Sequence, residues 1–189
     1  MSLKIFNIEI NISFLFLLVI TLMIFIDKSG LIIPMLISIS LHEFAHILAM
    51  LLTRCRIKRI NLIPCCIEIS RDFCDKTSGE IFISISGPLI NIVLFFVFYK
   101  IDIVFSLINL CLGLFNILPL TTLDGGEILK TILLKKFSED KVNLILKTFN
   151  LTFGVFGLVS GIVLMIENKI NFTLILFSIY IIILNIIKI

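Results

Sequence analysis

The feature that most constrains this chain is a series of six long apolar runs with nearly all of the charge held in the segments between them. They cover about Ile10–Ile26, Leu31–Leu52, Ile81–Tyr99, Ile103–Leu118, Leu151–Ile166 and Ile170–Ile187. A segment in lipid must satisfy its own backbone hydrogen bonds, so apolar runs of roughly 20 residues read as transmembrane helices. Of the 189 residues, 59% are hydrophobic and 15% charged, against roughly 45–50% apolar in a soluble domain. A water-soluble core of this size could not hide so much apolar surface. The expected fold is therefore an all-α polytopic membrane protein, one domain over residues 1–189, with about six transmembrane helices. The first run is longer than the apolar part of a signal peptide and no small-residue cleavage site follows it, so it reads as a retained helix.

Lysine and arginine set the expected orientation. With the N-terminus inside, 13 of the 16 basic residues fall in inner segments, and the outer loops keep Lys28, Lys100 and Lys169. The positive-inside rule then places both termini in the cytoplasm. Between the second and third helices, Ile57-Lys58-Arg59-Ile60 and Ile67-Glu68-Ile69-Ser70 alternate on either side of Pro64, which predicts a short membrane-associated β-hairpin. Glu127–Lys147 reads as a basic, partly helical connector lying against anionic headgroups. Cys55, Cys65, Cys66, Cys74 and Cys111 make an odd count, which argues against a disulfide framework and for reduced thiols.

An ionisable group inside a bilayer costs at least about 2.5–3.5 kcal/mol, so each one requires an explanation. Within the runs and their inner ends these groups are few: His42, Glu43 and His46 in the second, and Asp124 just past the fourth. His42 and His46 are the two histidines of the chain, in the pattern His42-Glu43-Phe44-Ala45-His46. Residues four apart share a helix face, so both imidazoles can reach one metal ion. Glu43 projects roughly 100° around the helix, beside the metal, where it can take a proton from an activated water and return it to a leaving amine. A polar clasp between helices would explain the polarity, but not the spacing or the carboxylate.

A catalytic zinc site takes three protein ligands and an open position. Asp124 is the best third candidate, in Pro119-Leu120-Thr121-Thr122-Leu123-Asp124-Gly125-Gly126, where Pro119 and the glycines are expected to break or bend the helix. The alternative is an interfacial break with Asp124 capping the next turn. Glu127 reads as a headgroup-level residue. Asn91, following Gly87-Pro88, and Asn116, before Pro119, could each bond a substrate carbonyl or an oxyanion, or equally serve as packing contacts between helices.

These residues resemble the site-2 protease family of intramembrane metalloproteases. His42 to His46 is similar to its metal helix, here about residues 31–52. Asn116, Pro119 and Leu123-Asp124-Gly125-Gly126 are similar to its second motif, about 116–126, and Gly87-Pro88 with Asn91 to the element between. Six spans with an inward-facing site look most like the sporulation branch, which activates a membrane-tethered sigma-factor precursor. The chain departs from that branch in carrying no C-terminal nucleotide-sensing regulatory domain, and from others in carrying no PDZ insertion. The resemblance implies one Zn2+ per chain on His42, His46 and Asp124, with Glu43 as catalytic base and Asn91 and Asn116 seating the substrate. It implies a hairpin that pairs with an extended substrate, a membrane-tethered protein substrate, and membrane partners that inhibit or regulate. The expected setting is a bacterial cell membrane, with no nucleic-acid partner. The rival readings are a membrane metal-ion transporter, which has no use for a carboxylate at position 43, and a non-catalytic relative that binds clients.

Overall fold

A computed structural model describes residues 2–5, 8–55, 57–63, 66–71, 77–166 and 172–187. The element order is β1 (Ser2–Ile5), β2 (Ile8–Ile12), α1 (Phe14–Ile26), α2 (Ile32–Leu52), β3 (Ile57–Ile63), β4 (Cys66–Arg71), α3 (Thr77–Phe98), α4 (Ile103–Asn116), α5 (Asp124–Leu133), α6 (Glu139–Ile166) and α7 (Phe172–Ile187). Two compact units partition the chain, Met1–Ile117 and Leu118–Ile189.

In the first unit α2 packs against α3 and α4, and α3 against α4. One sheet, in the order β1-β2-β3-β4, joins the N-terminus to the segment after α2. β3 and β4 are antiparallel, with Ile60 opposite Ile69 and Asn61 opposite Glu68. β1 and β2 are additions. Residues 10–12, read from the sequence as the start of the first transmembrane helix, belong to β2, because Ile8, Ile10 and Ile12 alternate with Glu9 and Asn11 in a strand period. β2 runs parallel to β3, pairing Glu9 with Arg59 and Asn11 with Asn61. An ion pair of 2.9 Å joins Arg59 to Glu9, and Asn11 donates to Asn61 at 3.1 Å. Pro64 and Cys65, at the expected hairpin turn, lie outside the described residues, as do Cys74, Arg56, Lys76, Lys169 and Lys188.

In the second unit α6 packs against both α5 and α7. The connector expected up to Lys147 is not separate from the fifth apolar run: α6 is continuous from Glu139 to Ile166. No proline interrupts it, and Glu139 and Asp140 in its first turn sit favourably at the positive end of the helix dipole.

Among the described residues, three helices are long and apolar enough to cross a membrane: α2, α3 and α6. α1 and α4, with 13 and 14 residues, reach about 20 Å at 1.5 Å per residue, short of a hydrocarbon core of about 30 Å. Burial is inverted relative to a water-soluble protein. Polar residues fill the interior, among them Ser38, Asn91, Ser106 and Asn109 at 0% exposure, while Phe14, Phe96 and Phe156 are more than 70% exposed. Apolar surface of that extent has lipid as its natural solvent.

α2 ends at Leu52, where the second apolar run ends, although the sequence has neither glycine nor proline there. The helix closes with Cys55 N–H on the Met50 carbonyl at 3.0 Å, and Arg54 takes a left-handed φ of 58°, the backbone course that terminates a helix most cheaply with glycine. Cys55, beyond this turn, is buried and disulfide-bonded. This corrects the expectation of reduced thiols throughout, since pairing depends on tertiary proximity and not on the count. Cys111 is free and exposed.

Candidate metal centre

On α2, Ser38, His42 and His46 follow one another at intervals of four residues, and all three are buried on the face that also buries Ala49 and Met50. The outward face is apolar, with Phe44 and Leu48 exposed. Glu43 is half-buried on the flank between these faces. The helical spacing alone therefore turns both imidazoles inward and keeps Glu43 adjacent.

The Nε2 atoms of His42 and His46 face each other at 3.2 Å. Their ring protons can be assigned from the neighbouring groups. His46 Nδ1 lies 2.8 Å from the Ile83 carbonyl, which can accept and never donate, so the proton is on Nδ1. His42 Nδ1 lies 2.6 Å from Asn91 Oδ1, also an acceptor. Neutral imidazole carries one ring proton, and in both rings it is committed to the outer nitrogen. The two Nε2 lone pairs are thus aimed at one point, where without a cation or a proton between them they would repel. Two ring nitrogens each about 2.0–2.1 Å from one tetrahedral ion lie roughly 3.3 Å apart, so the observed pair fits a divalent ion such as zinc.

The backbone of α3 closes this point from the other side. A Cβ added at Gly87 would meet His42 Nε2 at 2.6 Å and would press still closer on His46 Nε2. Glycine is required at 87 because any side chain would fill the space between the two nitrogens. That is a different reason from the turn chemistry glycine usually signals.

Asn91, fully buried, faces His42 and has both ends of its amide engaged: Oδ1 at His42 and Nδ2 donating to Asn109 Oδ1 at 2.9 Å. Asn109 Nδ2 donates in turn to Ser38 Oγ and to the Phe105 carbonyl, each at 2.9 Å. Asn116 is the last residue of α4, half-buried, and its Nδ2 donates to the Leu112 carbonyl at 3.0 Å.

The second unit holds Asp124 on a segment built by other means. Asp124 is the first residue of α5, in its acidic first turn. The N-cap position is Leu123, with no side-chain cap, so Asp124 is not the N-cap residue. Leu118–Leu123 folds back on itself through Leu123 N–H to the Leu120 carbonyl at 2.9 Å. Gly125 and Gly126 do not break the helix, as the sequence suggested; both are buried within α5. A Cβ at Gly126 would collide with the Leu120 carbonyl and stand 3.0 Å from Thr121 Cα, so the glycine admits the returning backbone. Asn150 of α6 clamps the same turn, accepting from Thr121 N–H at 3.1 Å and donating to Thr121 Oγ1 at 2.8 Å. Glu127 is exposed.

Four contributors escaped the sequence reading: Ser38, Asn109, Asn150 and the Ile83 carbonyl. The three side chains are uncharged, so they stand out less from an apolar run than an ionisable group does. An amide such as Asn109 in the middle of an apolar run carries the same message at lower contrast.

A family model described as Peptidase family M50 matches residues 101–161. A zinc metalloprotease of Methanocaldococcus jannaschii is 31% identical over 192 residues, covering 92% of this chain and 55% of that protein. The chain thus spans about half the length of that relative. Among solved structures, the site-2 protease from Methanocaldococcus jannaschii superimposes with a TM-score of 0.69 at 30% identity, covering 97% of this chain and 92% of that one.

Proposed function

Because the chain belongs to peptidase family M50, the site-2 proteases, we propose that it is an intramembrane zinc metalloprotease hydrolysing peptide bonds of membrane-tethered proteins in or near the bilayer. The observation that carries this reading is the pair of Nε2 lone pairs held 3.2 Å apart with both Nδ1 atoms committed elsewhere.

In this reading His42 and His46 hold the ion through Nε2, and Asp124 is the third ligand, giving two imidazoles and a carboxylate, a donor set zinc accepts. Bound zinc supplies Lewis acidity, polarising a carbonyl and lowering the pKa of a water to about 7. Glu43 takes the proton of the attacking water and delivers it to the leaving nitrogen, which completes hydrolysis with no net proton change. Asn116, at the end of α4, is the asparagine suited to a substrate carbonyl or oxyanion, whereas Asn91 acts on His42. A substrate helix hides its carbonyls in its own hydrogen bonds, so cleavage requires local unwinding, and β-augmentation on the sheet would hold the unwound strand.

We read the six apolar helices as six spans, with both termini cytoplasmic on the distribution of lysine and arginine. The Cys55 disulfide is uncommon in a reducing cytoplasm, so thiol labelling from either side is the direct test of this orientation. The client is a membrane-tethered signalling protein cut in regulated proteolysis, with inhibitory or regulatory membrane partners; a sigma-factor precursor is the client suggested by likeness to the sporulation branch.

The test is zinc content and cleavage of a tethered substrate, for the wild type and Glu43→Gln. Zinc near one per chain in both, with cleavage lowered by about 10²–10⁴-fold in the variant, is the expected result. Cleavage unaffected by Glu43→Gln would remove Glu43 from the mechanism. A wild type that folds without zinc would end the metalloprotease reading.

A further inference from the structure

The bonds behind His42 form a loop through three helices that returns to its starting helix. From His42 on α2 it passes to Asn91 on α3, to Asn109 on α4, and back to Ser38, one turn before His42 on α2. Every member is buried, with Ser38, Asn91 and Asn109 at 0% exposure, so water cannot substitute for a lost partner.

The direction of each bond is set from the far end. The Phe105 carbonyl can only accept, so the group 2.9 Å from it on Asn109 is the amide nitrogen. Ser38 Oγ donates its hydrogen to the Pro34 carbonyl at 2.9 Å, leaving its lone pairs for Asn109 Nδ2. With Asn109 Nδ2 so occupied, Asn109 Oδ1 faces α3 and takes a hydrogen from Asn91 Nδ2. Asn91 Oδ1 is thereby turned to His42, whose Nδ1 must carry the proton. Reversing any one amide would set acceptor against acceptor or donor against donor at a buried contact, which costs about as much as leaving the group unsatisfied.

We propose that Asn109, supported by Ser38, is a positioning residue for the metal centre: by fixing the Asn91 amide it keeps the His42 proton on Nδ1 and leaves Nε2 open to a divalent cation. The proposal rests on the metal-site reading above. Without Asn109, the Asn91 amide is free to turn and present its NH2 to Nδ1. His42 then carries its proton on Nε2, the atom a metal must use. Hydrogen-bond partners of a ligating histidine typically contribute about 10–100-fold in metal affinity, and Asn109 acts through one of them.

The experiment uses the full chain purified in detergent, with zinc affinity measured by chelator competition and the histidine tautomer by nitrogen-labelled NMR of the zinc-free protein. Asn109→Ala is expected to weaken zinc binding by about 10–100-fold and to give His42 a population protonated on Nε2. Ser106→Ala is the structural control: on the same helix, equally buried, it loses a 2.8 Å bond to the Phe95 carbonyl of α3 and should bind zinc as the wild type does. Adding Asn91→Asp to Asn109→Ala supplies a carboxylate that accepts from Nδ1 in either orientation, so the double variant should regain affinity. A merely structural Asn109 gives the opposite, a double variant worse than the single one. Wild-type affinity in Asn109→Ala overturns the relay and leaves the metal site standing. Should that variant not fold, Ser38→Ala carries the test, with about a tenfold loss expected and wild-type affinity overturning it. A wild type that binds no zinc overturns the metal-site reading, and the relay with it.

Discussion

The histidine pair and the Asp124 segment are held in place by contrasting means. His42 and His46 sit in the middle of a regular helix, and their precision comes from side chains: an amide relay on one ring, a main-chain carbonyl on the other. Asp124 sits at the start of a short helix, and its segment is shaped by the backbone, through the turn Leu120–Leu123, the space at Gly126 and the clamp of Asn150. The first arrangement depends on buried hydrogen bonds being correctly directed. The second depends on room for a main chain to fold back. An imidazole on a stable helix needs its ring oriented; a carboxylate beside a chain reversal needs the reversal itself made stable.

This contrast makes opposite demands on the two glycines and on the asparagines around them. The largest effect is expected from Gly87→Ala. Its Cβ would enter the gap between the Nε2 atoms, 2.6 Å from one of them, so zinc affinity should fall by more than about 100-fold, beyond what loss of a supporting partner does. Overpacking should destabilise the fold by about 1–3 kcal/mol. Metal analysis of the purified variant decides the matter, and full zinc occupancy would break the comparison by showing that the gap is not where the ion sits.

Asn150→Ala comes next. It removes both bonds to Thr121 and leaves a part-buried N–H without its acceptor, a loss of about 1 kcal/mol. Because the damage is to a chain reversal, it should appear as a lower midpoint of thermal unfolding and as faster proteolysis between residues 118 and 123. The tautomer of His42 should not change. A variant with wild-type stability would show that the backbone turn holds without its clamp.

The smallest effect belongs to the turn between α1 and α2. Asp27 caps α2 from outside, accepting from Ser29 Oγ at 2.6 Å, Ser29 N–H at 2.9 Å and Ile32 N–H at 3.0 Å. The Ser29 hydroxyl, then the Ile32 amide, hold its carboxyl below the ordinary 3.8. A carboxyl lowered in the folded state contributes stability that is present above its unfolded pKa and is lost as pH falls through the folded value. Acid titration should therefore loosen this turn below about pH 3.8 in the wild type, and Asp27→Asn should abolish that pH dependence. The site is solvent-exposed, so the change should register in hydrogen exchange of Ile32 and leave zinc affinity untouched. An acid response equal in both proteins would assign it elsewhere.

Much of the candidate site could be read directly because helical spacing is a local property. His42, Glu43 and His46 are placed by a period of 3.6 residues whatever they pack against, and they occupy the faces of α2 that this period requires. Other features were misread for equally physical reasons. The strand at Ile8–Ile12 was merged with an apolar run because β-branched residues suit a sheet and a membrane helix alike. Gly125 and Gly126 look like helix breakers because glycine has that tendency by itself, whereas both lie within α5 and the missing side chain of Gly126 makes room for the Leu120 carbonyl.

The sequence by itself determined that the chain is too apolar for water, that its charge is held between long apolar runs, and that two imidazoles share a face with a carboxylate beside them. Those follow from composition and from periods shorter than one helix turn or two. The tertiary structure alone decided which nitrogen of each ring carries the proton, because the Ile83 carbonyl stands 37 residues from His46, and Asn91 stands 49 and Ser38 71 residues from their respective partners, His42 and Asn109. A proton on a ring is directed by whatever lies across a hydrogen bond, and only packing brings those groups within 3 Å.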